Sequence, residues 1–112
     1  MPNFSYSDFF KVDIRVGTIL KAEENNILKK PSIILEIDFG EQIGIKKSST
    51  QLQSNYTPQD LINKQIAAVI NFSPKQIGKV ISEVLVLGFP NNQNEPILIS
   101  PDIKIKNGGK LY

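Results

Sequence analysis

Cysteine and histidine are both absent from this 112-residue chain, and so is tryptophan. Without thiolates or imidazoles it can form neither an ordinary zinc site nor a Cys–His or Ser–His–Asp nucleophile, and it has no histidine general base. Disulfide staples are excluded too, so the fold must stand on its core. Long apolar runs are also missing. Lys, Glu, Asp or Asn interrupts each one short of the roughly 20 residues a bilayer requires, and no membrane insertion is expected. Met1 leads into Pro2, Asn3 and Ser5 rather than into an apolar leader core, so a cytoplasmic location is expected. Neither sign of charge dominates, because 13 Lys and Arg against 11 Asp and Glu leave +2. Hydrophobic residues at 40% with charged residues at 21% place the chain among globular proteins rather than disordered tails.

What is present alternates with a period of two. Val12, Ile14, Val16, Thr18 and Leu20 make a mostly aliphatic face against Asp13, Arg15, Gly17 and Lys21, the pattern of a half-buried strand. Ser32 to Phe39 repeats it, and Gly40-Glu41 turns the chain into Gln42 to Ser48 as a hairpin. Ile66, Ala68, Ile70 and Phe72 alternate again. Glu83 to Gly88, rich in Val and Leu, reads as a strand buried on both faces, and these last two are expected to be central strands. Ile97 to Ser100 and Ile103 to Ile105 are shorter extended pieces. Helical signals are local: Ser5 or Ser7 caps a turn through Lys11, and Thr57-Pro58 starts another. No repeat or Gly/Ser linker divides the chain, so residues 1–112 read as one domain. The expected fold is all-β, a five-stranded OB-fold barrel with short helical turns.

Two basic segments carry hydroxyls beside them. Lys46 and Lys47 precede Ser48, Ser49 and Thr50; Lys75 and Lys79 precede Ser82. This is the equipment of a phosphate-contacting face, although a solvated rim explains the same residues. Phe72 could stack on a base, with Asn71 or Gln76 reading its edge. By parity, however, Phe72 joins Ile66, Ala68 and Ile70 and is expected in the core. Asp13 and Arg15, two apart on a strand, are expected to form an ordinary ion pair, and no second acid completes a general acid–base dyad.

Over nearly its whole length the chain resembles the tRNA-binding domain of the CsaA type. The resemblance is carried by Asp13-Ile14-Arg15-Val16-Gly17-Thr18-Ile19, Ile37-Asp38-Phe39-Gly40, Tyr56-Thr57-Pro58, Val69-Ile70-Asn71-Phe72, Lys75 to Gly78 and Ser82-Glu83-Val84-Leu85. The segments Ile45-Lys46-Lys47-Ser48-Ser49 and Ser82 to Gly88 resemble the free-standing CsaA chaperones in particular. More distantly, the same pattern is appended to some methionyl-tRNA synthetases, to phenylalanyl-tRNA synthetase beta chains and to the endothelial-monocyte-activating polypeptide.

The resemblance implies an OB-fold barrel whose N- and C-terminal extensions form the interface of a symmetric homodimer. It implies a CsaA-like chaperone that binds unfolded preproteins or peptides for export, with export machinery as a further partner. The alternative is a structure-specific tRNA-binding dimer. Carried over by motif, the tRNA face would be Lys46, Lys47, Ser48, Asn71, Lys75, Gln76, Lys79 and Ser82; the peptide groove is expected at Phe72, Ile77 and Leu85, whose segments carry the resemblance and lie at one end of neighbouring strands. No catalytic residue, metal or cofactor is expected. Where the tRNA-binding relatives carry a more basic segment this chain has Pro74-Lys75-Gln76-Ile77, and Leu85 stands where methionine is common; fewer phosphate contacts mean weaker, more salt-sensitive RNA binding. Independently of the resemblance, Tyr6, Phe9, Phe10, Ile97, Leu98, Ile99, Ile103 and Ile105 are more apolar surface than a small barrel needs, and they are expected to form an isologous two-fold interface.

Overall fold

The structure, a computed structural model, describes residues 2–25, 31–52 and 55–112; Met1, where the leader reading begins, lies outside them. In chain order its elements are α1 (Tyr6–Phe9), β1 (Ile14–Asn25), β2 (Ser32–Asp38), β3 (Ile45–Thr50), α2 (Pro58–Leu61), β4 (Gln65–Val69), β5 (Lys75–Ile77), β6 (Val80–Ser82), β7 (Leu85–Val86), β8 (Gly88–Pro90) and β9 (Pro96–Leu98). Five of them make one antiparallel sheet in the order β3-β2-β1-β4-β7. The sheet curls into a half-barrel, an OB-like arrangement. Its β3 edge is bonded to the segment that leads from β6 into β7: the Glu83 N–H donates to the Lys47 carbonyl at 2.8 Å and the Ser49 N–H to Ser82 Oγ at 3.1 Å.

Local chemistry explains the connections. Gly40 (φ +93°) and Gly44 (φ +87°) supply the left-handed backbone of the β2–β3 turn, and the Asp38 carboxylate accepts the Gly40 N–H at 2.8 Å. Ser5 caps α1, accepting the Asp8 N–H at 3.1 Å. Thr57 and Asp60 form a reciprocal capping box on α2, which delivers Leu61 fully buried into the core. That core joins Ile19, Ile33, Leu35, Ile37, Phe39, Leu52, Ile66, Ala68 and Val84.

The expected aliphatic face of β1 is not the face turned to this core. Gly17 and Ile19 point inward: a Cβ on Gly17 would stand 2.6 Å from Ile37 Cγ2 and 2.8 Å from Phe39, so only glycine fits there. Val16 is buried from the other side. The Val16 N–H donates to the Gly109 carbonyl at 3.1 Å, the Gly108 N–H returns to Val16 at 2.8 Å, and the Leu111 N–H reaches Ile14 at 2.8 Å. The C-terminal segment thus lies along the first residues of β1. Beyond Ile19 the register shifts by one at Leu20, which leaves Leu20 exposed and returns Ala22 to the core side.

Three further expectations are corrected. Glu83 to Gly88 is not a doubly buried central strand: only Leu85–Val86 pairs with β4, at the sheet edge, and Leu85 is exposed. Phe72 lies beyond the end of β4 and is 55% exposed rather than core. Leu98, assigned to the outer apolar surface, packs against the core, with its N–H donated to Tyr56 Oη at 3.0 Å.

Candidate functional site

A groove of about 560 Å³ runs between β3, the turn after β4, the β5–β6 hairpin and the Ser82–Val86 segment. Phe72, Ile77 and Leu85 line it together with Lys75, Ser48 and Ser82, so six of the residues assigned from sequence converge on one surface. The β5–β6 hairpin, which was not among the expected strands, does the positioning: Lys75 pairs with Ser82 and Ile77 with Val80, and Gly78 turns the chain at φ +62°. Phe72 and Leu85 each leave about half of their surface to solvent, while Ile77 is half-buried.

The polar floor is used internally. Ser48, 2% exposed, donates its hydroxyl to the Val84 carbonyl at 3.1 Å. Ser82 Oγ donates to the same carbonyl at 3.4 Å. Glu83, the acid in the groove lining, accepts the Lys47 N–H at 3.0 Å and faces Lys46 Nζ at 3.9 Å.

The remaining residues assigned to an RNA face are scattered. Lys47 stands directly opposite Glu36 in the β2–β3 register, as Lys21 does from β1, so a carboxylate neighbours each. Lys79 sits exposed in the β5–β6 turn, and the Gln76 amide donates to the Gly78 carbonyl of its own hairpin at 3.1 Å. Asn71 is a staple: its Oδ1 accepts the Asp13 N–H at 2.9 Å and its Nδ2 donates to the Lys11 carbonyl at 2.7 Å. Asp13 and Arg15 form the expected ion pair, Nε to Oδ1 at 2.6 Å. Arg15 Nη1 also donates to the Gly108 carbonyl at 2.9 Å.

A second cavity, about 620 Å³, opens between the Gly40–Ile43 turn and residues 106–109, with Arg15 in its wall. The segment that builds it is clamped by Gln65, 8% exposed. The Gln65 amide donates to the Ile105 carbonyl at 2.6 Å and to Asn107 Oδ1 at 3.0 Å, and accepts the Ile105 N–H at 3.0 Å. In the sequence Gln65 stands out only as the end of the Leu61–Gln65 segment that shares the family pattern, with no role assigned, and the lysines this clamp positions were passed over. The alternation Ile103-Lys104-Ile105-Lys106 was the available signal.

Among the described residues no three His, Cys, Asp or Glu side chains gather as metal ligands, and no helix is long and apolar enough to cross a membrane.

Residues 14–110 match the family described as "Putative tRNA binding domain". The crystal structure of the chaperone CsaA from Bacillus anthracis str. Ames is similar at a TM-score of 0.92 and 42% identity, over 99% of this chain and 100% of that one. The CsaA chaperone protein of Picrophilus torridus superposes at 0.89 with 45% identity, over 98% and 100%. The methionine–tRNA ligase of Methanococcoides burtonii is 33% identical over 96% of this chain, which spans 16% of that enzyme's length.

Proposed function

We propose a function from one fact: the chain belongs to the tRNA-binding-domain family, in its CsaA form. Our reading is a cytoplasmic CsaA-like chaperone, a homodimer that holds extended apolar segments of unfolded preproteins for export and hands them to export machinery. The observation that carries it is the groove, where Phe72 and Leu85 stay about half exposed beside Ile77 on a rigid half-barrel. A segment laid along it covers apolar side chains that the fold leaves open, and a two-fold dimer presents the groove twice, so weak contacts add by avidity. Tyr6, Phe10, Ile97, Ile103 and Ile105 are exposed, which supports a dimer through the extensions.

A second reading, a structure-specific tRNA-binding dimer, is favoured by the family match and by lysines that have no carboxylate partner among the described residues. In either case the chain works by binding, not by catalysis, and needs no cofactor.

The test compares an unfolded preprotein with bulk tRNA. Leu85→Ser removes roughly 1 kcal/mol of apolar contact, about fivefold in peptide affinity, with little change in thermal midpoint. Ile77→Ser lowers affinity too but carries more folding cost. Unchanged peptide affinity in Leu85→Ser refutes the groove. Across a salt titration RNA binding collapses, whereas apolar peptide binding persists.

A further inference from the structure

We propose that the C-terminal segment carries a phosphate-contacting strip for RNA, made by Lys104, Lys106 and Lys110 beside Arg15. The inference rests on the tRNA reading above and relocates the contact surface away from the lysines of β3.

The charge distribution comes first. Lys11 pairs with Asp8, Arg15 with Asp13 and Lys46 with Glu83. Lys21 and Lys47 flank Glu36 across the sheet, and Lys64 lies near enough to Asp60 to help lower its pKa. Lys104, Lys106 and Lys110 are exposed and form no ion pair among the described residues, three in one short segment against Lys75 and Lys79, which share that condition in the β5–β6 hairpin. Asp102 is the one acid in residues 101–112. A polyanion meets more uncompensated positive charge here than on β3.

Geometry comes second. Lysines on a loose tail lose much of their attraction to the entropy of ordering, but this segment is already ordered. The Gln65 amide satisfies both backbone groups of Ile105, Asn107 accepts from Thr18 Oγ1 at 2.7 Å, and residues 108–111 are bonded to β1. Ile103 and Ile105 alternate with Lys104 and Lys106 in the sequence, and all four side chains are exposed. The isoleucines are open to a partner subunit and the lysines to a polyanion. Lys106 lines the same cavity as Arg15, whose charge Asp13 already balances, so Lys106 is the cation left for a phosphate there. Glu41 shares that wall and limits the gain, and Lys110 Nζ is held 3.5 Å from the Phe10 carbonyl.

The test is a salt titration of bulk tRNA binding to the wild type, to Lys104→Ala/Lys106→Ala/Lys110→Ala and to Lys46→Ala/Lys47→Ala. Each lost phosphate contact lowers the slope of log affinity against log salt by about 0.7 to 0.9. The triple variant is expected to lose about 2 units of slope with an unchanged thermal midpoint, and the β3 variant well under 1. Wild-type binding with an unchanged slope in the triple variant overturns this inference alone. No wild-type binding at low salt overturns the tRNA reading itself.

Discussion

Replacing Gln65 by leucine isolates the clamp that holds the C-terminal segment. The Gln65 side chain acts as a spare peptide unit. Its Oε1 accepts the Ile105 N–H at 3.0 Å and its Nε2 donates to the Ile105 carbonyl at 2.6 Å, with a third bond to Asn107 at 3.0 Å. Leucine keeps the volume at this buried position and deletes all three. At about 0.5–1.5 kcal/mol for each bond the loss is roughly 2–4 kcal/mol. The lower half of that range applies, because Ile105 is exposed and water replaces part of the pairing. About 2–3 kcal/mol corresponds to a fall of roughly 8–16 °C in thermal midpoint for a domain of this size. Calorimetry reads that fall, and amide hydrogen exchange at Ile105 and Leu111 reads its location, because protection should drop there before it drops in β2. Unchanged protection at Ile105, or a shift of only a degree or two, refutes the clamp. The same variant should flatten the salt dependence of tRNA binding, since Lys104 and Lys106 would no longer be held in place.

Two further outcomes follow from geometry already described. The Thr57 N–H and hydroxyl beside Asp60 hold its carboxyl below the ordinary 3.8. A lowered acid contributes stability that is complete above its unfolded value and lost as pH falls through the folded one. The α2 cap should therefore outlast an ordinary aspartate as pH falls and open only below 3.8; an Asp60 titration midpoint at or above 3.8, followed by carbon NMR, contradicts this. For assembly, Phe10→Asp with Ile99→Asp should convert a dimer to monomer in sedimentation at micromolar concentration. A monomeric wild type, or a dimer that survives both changes, defeats the proposed interface.

The elements legible in the sequence were those whose cause is local. The β2–β3 hairpin follows from alternation and two turn glycines, and both caps follow from Ser5 and from Thr57-Pro58. What failed was which side of a strand faces inward, because a period of two marks two faces without saying which is covered. On β1 the side that carries Gly17 and Ile19 faces the core and the bulge at Leu20 returns Ala22 to it, while the richer aliphatic side was claimed by residues more than ninety positions away. Phe72 kept the parity of β4 but lay past its end, where parity no longer applies. Of the groove residues, Ser48, Phe72, Lys75 and Ser82 were legible from their basic, hydroxyl and aromatic segments and Ile77 and Leu85 through the family resemblance, whereas the hairpin that gathers them and the Gln65 clamp were not, since a side chain that imitates a peptide bond has no sequence period.

The strap of residues 108–111 along β1 has a consequence for synthesis. Arg15 and Gly108, bonded in the finished fold, are 93 positions apart. At roughly 5–20 residues per second a ribosome needs about 5–20 s to make that stretch. Through that interval the outer side of β1, with Ile14 and Val16, has no cover, and pairing at such long range is slow as well. The last residues to be made therefore complete the first strand of the sheet, and β1 reaches its final pairing only when synthesis is nearly over.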